Sequence, residues 1–241
     1  MRRIFLSQVN SEFIELTGDQ HIHLSLVLRA KIGDKVSIAA DGYIYSAVVF
    51  ELSKNVTTLK VLTKEQDKTE PSIKIALYFA RQKNEHSELT VQKAVELGAT
   101  KIVPVRTKFV SLQASKLDRL NKIAFSAAVQ SGRGFVPKVE DEIDFDKALA
   151  EIKEYDFCVF AYEKAVDIGL AEFLKQNAKK ENIKKIAVFI GSEGGFSDEE
   201  ADRAVQAGLT PVSLGNRILR AETACVAVLS CLMYEIGGLS K

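Results

Sequence analysis

Two short stretches near the end of the chain carry residue types at spacings that could do chemistry. Ile190 to Gly195 (IGSEGG) sets three glycines around one carboxylate, Glu193, and Leu214 to Ala224 (LGNRILRAETA) sets Arg217, Arg220 and Glu222 between apolar runs. Gly191, Gly194 and Gly195 let a backbone turn sharply and approach a ligand, or they serve turn geometry alone. A nucleotide-phosphate loop does not fit. A carboxylate repels phosphate at a helix N-terminus, no Lys-Ser/Thr pair follows the glycines, and the spacing is not G-x-G-x-x-G. A non-phosphorylated ligand held by backbone groups suits the loop better, and a cationic one better still. Arg217, Arg220 and Glu222 either form a local ion pair or act on a substrate. In the second case an arginine stabilises developing negative charge and a carboxylate takes a proton or orients the arginine.

The elements that must position these loops follow from pattern. Ile186 to Ile190 is an apolar run suited to a strand buried on both faces. Ser197 with Glu200 is a capping-box pair, so a helix starts at Asp198, and Gly208 is placed to end it. Pro211 to Leu214 reads as a second strand. Ala224 to Ile236 is apolar nearly all round and must be buried, in its own core or against a partner. Loops at the carboxyl ends of neighbouring parallel strands are where open α/β sheets bind ligands.

Upstream, strands and helices alternate. Ile73 to Ala80, Ile102 to Val105 and Phe157 to Tyr162 are strand runs. Glu85 to Leu97 (closed by Gly98), Ser115 to Gln130 (ending at Gly132), Asp146 to Ile152 and Ile168 to Ala178 are helical. This argues a parallel sheet with helices on both faces. From Arg2 to about Leu62 the pattern is mostly β: Val36 to Ala39, Tyr43 to Leu52 and Thr58 to Leu62, with Asp41-Gly42 as a hairpin signal. Only HIHLSLVLR, residues 21–29, could form a short helix there. The polar run Thr63 to Ser72, broken by Pro71, reads as a linker, which divides the chain into a β-barrel over 1–70 and an α/β domain over 71–241.

Composition narrows the class. Lys+Arg number 33 against Asp+Glu 32 in 241 residues, so any nucleic-acid affinity must come from local patches. No apolar run reaches the roughly 18 residues that cross a membrane. Met1 to Leu6 opens basic but lacks an h-region and a cleavage site, so no signal peptide is expected. Cys158, Cys225 and Cys231 lie in apolar segments without C-x-x-C pairing, which reads as buried reduced thiols in a cytoplasmic protein. His21 and His23 lack a third ligand at a suitable spacing, and no metal site is expected.

The residues also carry a resemblance. IGSEGGFSDEE and LGNRILRAETA resemble the two C-terminal motifs of the RsmE-type methyltransferases of the SPOUT class. HLSLVLR (His23 to Arg29), ELTVQKAVELG (Glu88 to Gly98) and QSGR (Gln130 to Arg133) are similar to its upstream motifs, so the likeness spans nearly the whole chain. The resemblance implies a PUA-like β-barrel that engages RNA, followed by a SPOUT-type parallel sheet with a C-terminal trefoil knot. Periodicity shows no knot, and general topology rules would predict none. It further implies S-adenosylmethionine as cofactor, N3 of one uridine in 16S ribosomal RNA as target, and a homodimer through the knotted domain. The small, evenly charged chain suggests an assembled small ribosomal subunit, rather than bare RNA, as the substrate.

On this resemblance, backbone groups of Ile190, Gly191 and Gly195 hold the cofactor while Leu214, Ile218 and Leu219 enclose its adenine. Glu193, Gly194, Gly215, Thr223 and Ala224 complete that pocket. Arg220 is expected to stabilise the uridinate and Glu222 to take its proton or orient the arginine. Arg2, Arg3, Arg29 and Lys31, with Lys35, form a basic group for phosphates, extended by Lys83 and Lys93; Gln130 and Arg133 face RNA or shape the cleft. The chain departs from the family at Ser192 (usually Pro), at Ser126 and Val129 (commonly acidic), and at Lys108 and Phe109 in place of "ERS". No role is assigned to those positions. Two other readings stay open: another SPOUT activity on a tRNA base or ribose, and a non-catalytic RNA-binding factor in ribosome assembly.

Overall fold

The computed structural model describes residues 2–110, 117–178 and 182–239. They form two compact units: Met1–Glu70 with Ala128–Val136, and Pro71–Ala127 with Pro137–Lys241.

The first unit is built on a five-stranded, mostly antiparallel sheet in the order β1-β3-β4-β5-β2. Its strands are β1 (Arg3–Phe5), β2 (Phe13–Leu16), β3 (Lys35–Ala40), β4 (Tyr43–Leu52) and β5 (Thr57–Gln66). β1 and β2 stand at the two edges of this sheet, which curls as an open half-barrel. Asp41 and Gly42 both take positive φ, 52° and 74°, as the tight turn between β3 and β4 demands. Helix α1 (Gly18–Ile22) runs into a π-helical turn over His23–Val27, the one helical stretch expected here. Leu16, Leu24, Ile38, Ala47 and Leu59 fill the core.

The linker reading needs a correction. β5 pairs with β4 as far as Tyr43 opposite Gln66, so Thr63 to Gln66 belongs to a strand. Its last residues, Thr63 to Gln66, are all exposed, so no alternation marks them as strand; Lys64 Nζ sits 3.9 Å above the Tyr43 ring.

The second unit holds a six-stranded sheet, every pairing parallel, in the order β11-β9-β10-β6-β7-β8. The strands are β6 (Lys74–Ala80), β7 (Lys101–Arg106), β8 (Ile143–Asp144), β9 (Phe157–Ala161), β10 (Lys185–Ile190) and β11 (Pro211–Val212). The helices are α2 (Asn84–Glu96), α3 (Leu117–Ser131, whose residues from Ala128 on belong to the first unit), α4 (Phe145–Glu151), α5 (Leu170–Asn177), α6 (Asp198–Gln206) and α7 (Ala221–Glu235). Residues 115 and 116 of the expected third helix lie outside those described. β6 and β10 are apolar and buried almost throughout, as interior parallel strands must be. Tyr78 and Phe189 stack across them at 4.7 Å, a contact worth roughly 0.5–1.5 kcal/mol beyond area burial. α7 is buried mainly inside its own unit, through Ala224, Cys225, Val228, Leu229 and Leu232, while Thr223, Cys231 and Tyr234 face outward.

Candidate active site

β11, β9 and β10 are adjacent, and their carboxyl ends open into one cavity of about 480 Å³. The loop after β10 is held shut by its own backbone. Gly195 N–H donates to Ser192 O at 3.0 Å, and Ser192 and Gly195 form a β-bridge. A Cβ on Gly191 would lie 2.9 Å from Gly195 C, so no larger residue fits without parting the loop. Gly195 has φ +70°, and Gly194 lies under Phe109, 2.9 Å from where its own Cβ would be. Ser192, at the usual proline position, is buried, and its hydroxyl accepts from Gly194 N–H at 3.3 Å. Beyond the loop the capping box is complete: Ser197 N–H donates to Glu200 Oε2 at 2.8 Å and Glu200 N–H to Ser197 Oγ at 3.3 Å.

Glu193 both lines the cavity and accepts the Lys83 N–H at 3.0 Å, tying the loop to the start of α2. Of the residues expected to hold a cofactor, Ile190, Gly191, Glu193, Gly194, Gly195, Leu214, Gly215, Ile218, Leu219 and Ala224 all line this cavity. Thr223 does not; it is exposed on α7. Arg217 lines the cavity as well.

A third wall was missed. The turn after β9 contributes Tyr162, Glu163, Ala165 and Val166. The strand itself is legible in sequence, but only strand order sets its end beside β10. Tyr162 donates its hydroxyl to Asp198 Oδ1 at 2.7 Å, and Lys164 also pairs with Asp198. Burial, then the hydrogen bond to Asp198, pushes the Tyr162 phenol well above its ordinary range, so it stays a donor. Lys164 and Tyr162 in turn hold Asp198 below the usual carboxylate range.

Arg220 is the N-cap residue of α7 and is exposed; Glu222 follows, buried in the first turn. Among the described residues they form no ion pair with each other. Glu222 Oε1 instead lies 3.2 Å from His86 Nδ1 on α2, a partner that sequence spacing could not reveal. Glu222 Oε2 is buried and has no hydrogen-bond partner among the described residues.

The expected phosphate-binding cations divide in two. Arg29, Lys31 and Lys83 are exposed, as is Gln130. Arg2 is half-buried and pairs with Asp34 at 3.0 Å. Arg3 and Arg133 correct the expectation: they are 5% and 3% exposed, and a phosphate contact needs an accessible cation. Arg3 Nη1 donates to the carbonyls of Gly132 and Arg133, and the Arg133 guanidinium forks onto the Glu70 carboxylate.

Comparison with known proteins places this geometry. A model of the RNA methyltransferase domain matches residues 68–233. Ribosomal RNA small subunit methyltransferase E of Mesomycoplasma hyopneumoniae is 30% identical over 95% of this chain and 98% of its own. The chain belongs to the ribosomal RNA small subunit methyltransferase E family. Its Bacillus subtilis member is 29% identical over 98% of this chain and 97% of its own. The family member from Neisseria gonorrhoeae, solved bound to S-adenosyl methionine, is 28% identical with a TM-score of 0.84, covering 97% of both chains. No helix among the described residues is long and apolar enough to cross a membrane, and no group of three or more His, Cys, Asp or Glu there could hold a metal.

Proposed function

We propose that this chain transfers a methyl group from S-adenosylmethionine to N3 of a uridine in 16S ribosomal RNA. One observation carries the reading: the cavity at the ends of β11, β9 and β10 joins a glycine loop closed to any side chain with a wall of Leu214, Leu219 and Ile218. The residues present fit such a cofactor. Ile190, Gly191 and Gly195 line the cavity, the two glycines with backbone alone, apolar side chains offer an adenine slot, and two carboxylates, Glu163 and Glu193, disfavour a phosphorylated ligand. Bound there, the cofactor supplies an activated methyl group.

The chain's own residues supply position and charge. Uridine N3 is protonated at neutral pH, and its lone pair must be freed. Arg220, exposed at the N-cap of α7 and outside any ion pair among the described residues, stabilises the uridinate oxygens. Glu222 Oε2 lacks the donor that a buried oxygen needs, and the N3 proton of the bound base is such a donor. His86 holds the other oxygen. The remaining work is proximity and orientation.

The substrate in this reading is the assembled small subunit, and the protein acts in the cytoplasm as a homodimer. Labelled methyl transfer to small subunits, naked 16S rRNA and tRNA from cells lacking the gene tests it. N3-methyluridine in subunits is the expected product by mass spectrometry; label in tRNA alone would remove the substrate assignment.

A further inference from the structure

Among the described residues two acidic side chains line the cavity, and they are not equivalent. Glu193 spends its Oε1 on the Lys83 N–H. Glu163 is different: among the described residues no hydrogen bond or ion pair holds its carboxylate, and the adjacent Lys164 ammonium is engaged by Asp198. The Glu163 carboxylate lies directly over Gly195. A Cβ on Gly195 would fall 2.3 Å from Oε1 and 2.7 Å from Oε2. The missing side chain is thus what lets this carboxylate reach the cavity wall. Gly195 takes φ +70°, where a side chain is disfavoured in any case. Among the described residues the one cationic side chain in the lining, Arg217, stands in the loop after β11.

We propose that Glu163 is a specificity-determining residue that reads positive charge on the methyl donor, contacting either its sulfonium or its ammonium group. The inference rests on the reading that the cavity holds S-adenosylmethionine. The chemistry is simple. Glu163 is exposed, but a carboxylate that no hydrogen bond or ion pair engages among the described residues, set over a loop backbone at the cavity wall, still gains more from a cationic ligand than from a neutral one. Transfer of the methyl group turns the sulfonium into a neutral thioether, while the ammonium persists in the product. A carboxylate at the sulfonium therefore favours substrate over product, and one at the ammonium favours both.

The test is calorimetric titration of the full chain with S-adenosylmethionine and with S-adenosylhomocysteine, for wild type and Glu163→Gln. Glutamine keeps the shape and removes the charge. The variant is expected to bind the methyl donor about two- to fivefold more weakly, the scale of one exposed charge pair. Its affinity should also lose part of its salt dependence. Weakening confined to the methyl donor places Glu163 at the sulfonium; equal weakening of both ligands places it at the ammonium. Unchanged affinity for both overturns the proposal while leaving the cofactor reading intact. Wild type that binds neither ligand overturns both. Should Glu163→Gln fold poorly by circular dichroism, Glu163→Asp, which withdraws the same charge by one methylene, is expected to give a smaller loss in the same direction, and no loss there overturns the proposal equally.

Discussion

At the scale of single residues, the site rests on what is missing from two glycines and on what one carboxylate lacks. Gly191 has no room for a methyl because Gly195 backbone stands 2.9 Å from where it would go, and backbone cannot swing aside as a side chain can. Gly191→Ala should part the loop, at an overpacking cost of about 1–3 kcal/mol. Because each 1.4 kcal/mol is about tenfold in affinity, calorimetry should show S-adenosylmethionine binding weaker by about fivefold to a hundredfold, with helix content unchanged. Arg220→Ala should behave oppositely: exposed and outside the cavity lining, its loss should leave cofactor affinity intact and lower methyl transfer by about a hundredfold or more, the range for removing one charge-stabilising donor. Unchanged transfer would remove Arg220 from the chemistry. Glu222 was expected beside Arg220; a loop sequence cannot disclose that α2 packs on α7 and brings His86 to 3.2 Å. His86→Ala would strand a buried carboxylate and should lower the melting temperature by several degrees, from roughly 1–3 kcal/mol. In the Glu222→Gln background the same change should cost clearly less, and purely additive losses would show that the pair is not coupled.

At the scale of elements, periodicity read most of the fold because most elements satisfy local rules. The capping box at Ser197 and Glu200 starts α6 where expected, and Asp41-Gly42 turns the β3–β4 hairpin. β8 escaped notice because two residues, Ile143 and Asp144, carry no pattern and exist only by pairing with β7. α7 shows why an all-apolar helix is ambiguous: its buried face packs within the unit, leaving Cys231 exposed while Cys225 is sealed. Burial pushes the Cys225 and Cys158 thiols up to about 12. At pH 8 an aromatic disulfide reagent should therefore titrate one of the three thiols quickly and the other two only after unfolding. Outside the cavity lining, Glu151 joins α4 to Tyr78 on β6 (2.6 Å) and Lys101 on β7 (2.8 Å). Burial raises the Glu151 carboxyl, but hydrogen bonds from Lys101 and Tyr78 outweigh it and leave it below the usual range. A lowered carboxyl stabilises above its unfolded value, about 4.3, and that contribution is lost as pH falls through the folded value. Urea unfolding should accordingly show Glu151→Gln less stable than wild type at pH 7, with the gap closing below about pH 4; a gap independent of pH would refute the linkage.

At the scale of the molecule, the feature that sequence could not disclose is the make-up of the first unit, which takes Ala128–Val136 from far along the chain. Arg3 and Arg133 explain it. Arg3 was expected at phosphates, and Arg133 at RNA or in a structural role, because surface cations and buried, engaged ones are the same letters in a sequence. Instead Arg3 satisfies the carbonyls of Gly132 and Arg133, and Arg133 forks onto Glu70. That leaves a shorter basic group, Arg29 and Lys31 with Lys35, exposed on a chain of net charge +1. Two kinds of variant should separate the roles. Arg3→Ala removes a buried donor from two carbonyls and should destabilise the first unit, seen as earlier exposure of its amides in hydrogen exchange. Arg29→Glu with Lys31→Glu should leave folding and S-adenosylmethionine affinity unchanged and weaken RNA binding. Each phosphate that the protein no longer neutralises reduces the slope of log affinity against log salt by about 0.7 to 0.9. Filter binding of 16S rRNA between low and moderate salt should thus show a slope shallower by roughly 1.5 in the double variant, two phosphates at that rate. A slope equal to wild type would take this basic group out of the RNA interface and leave recognition to Lys83 and the second unit.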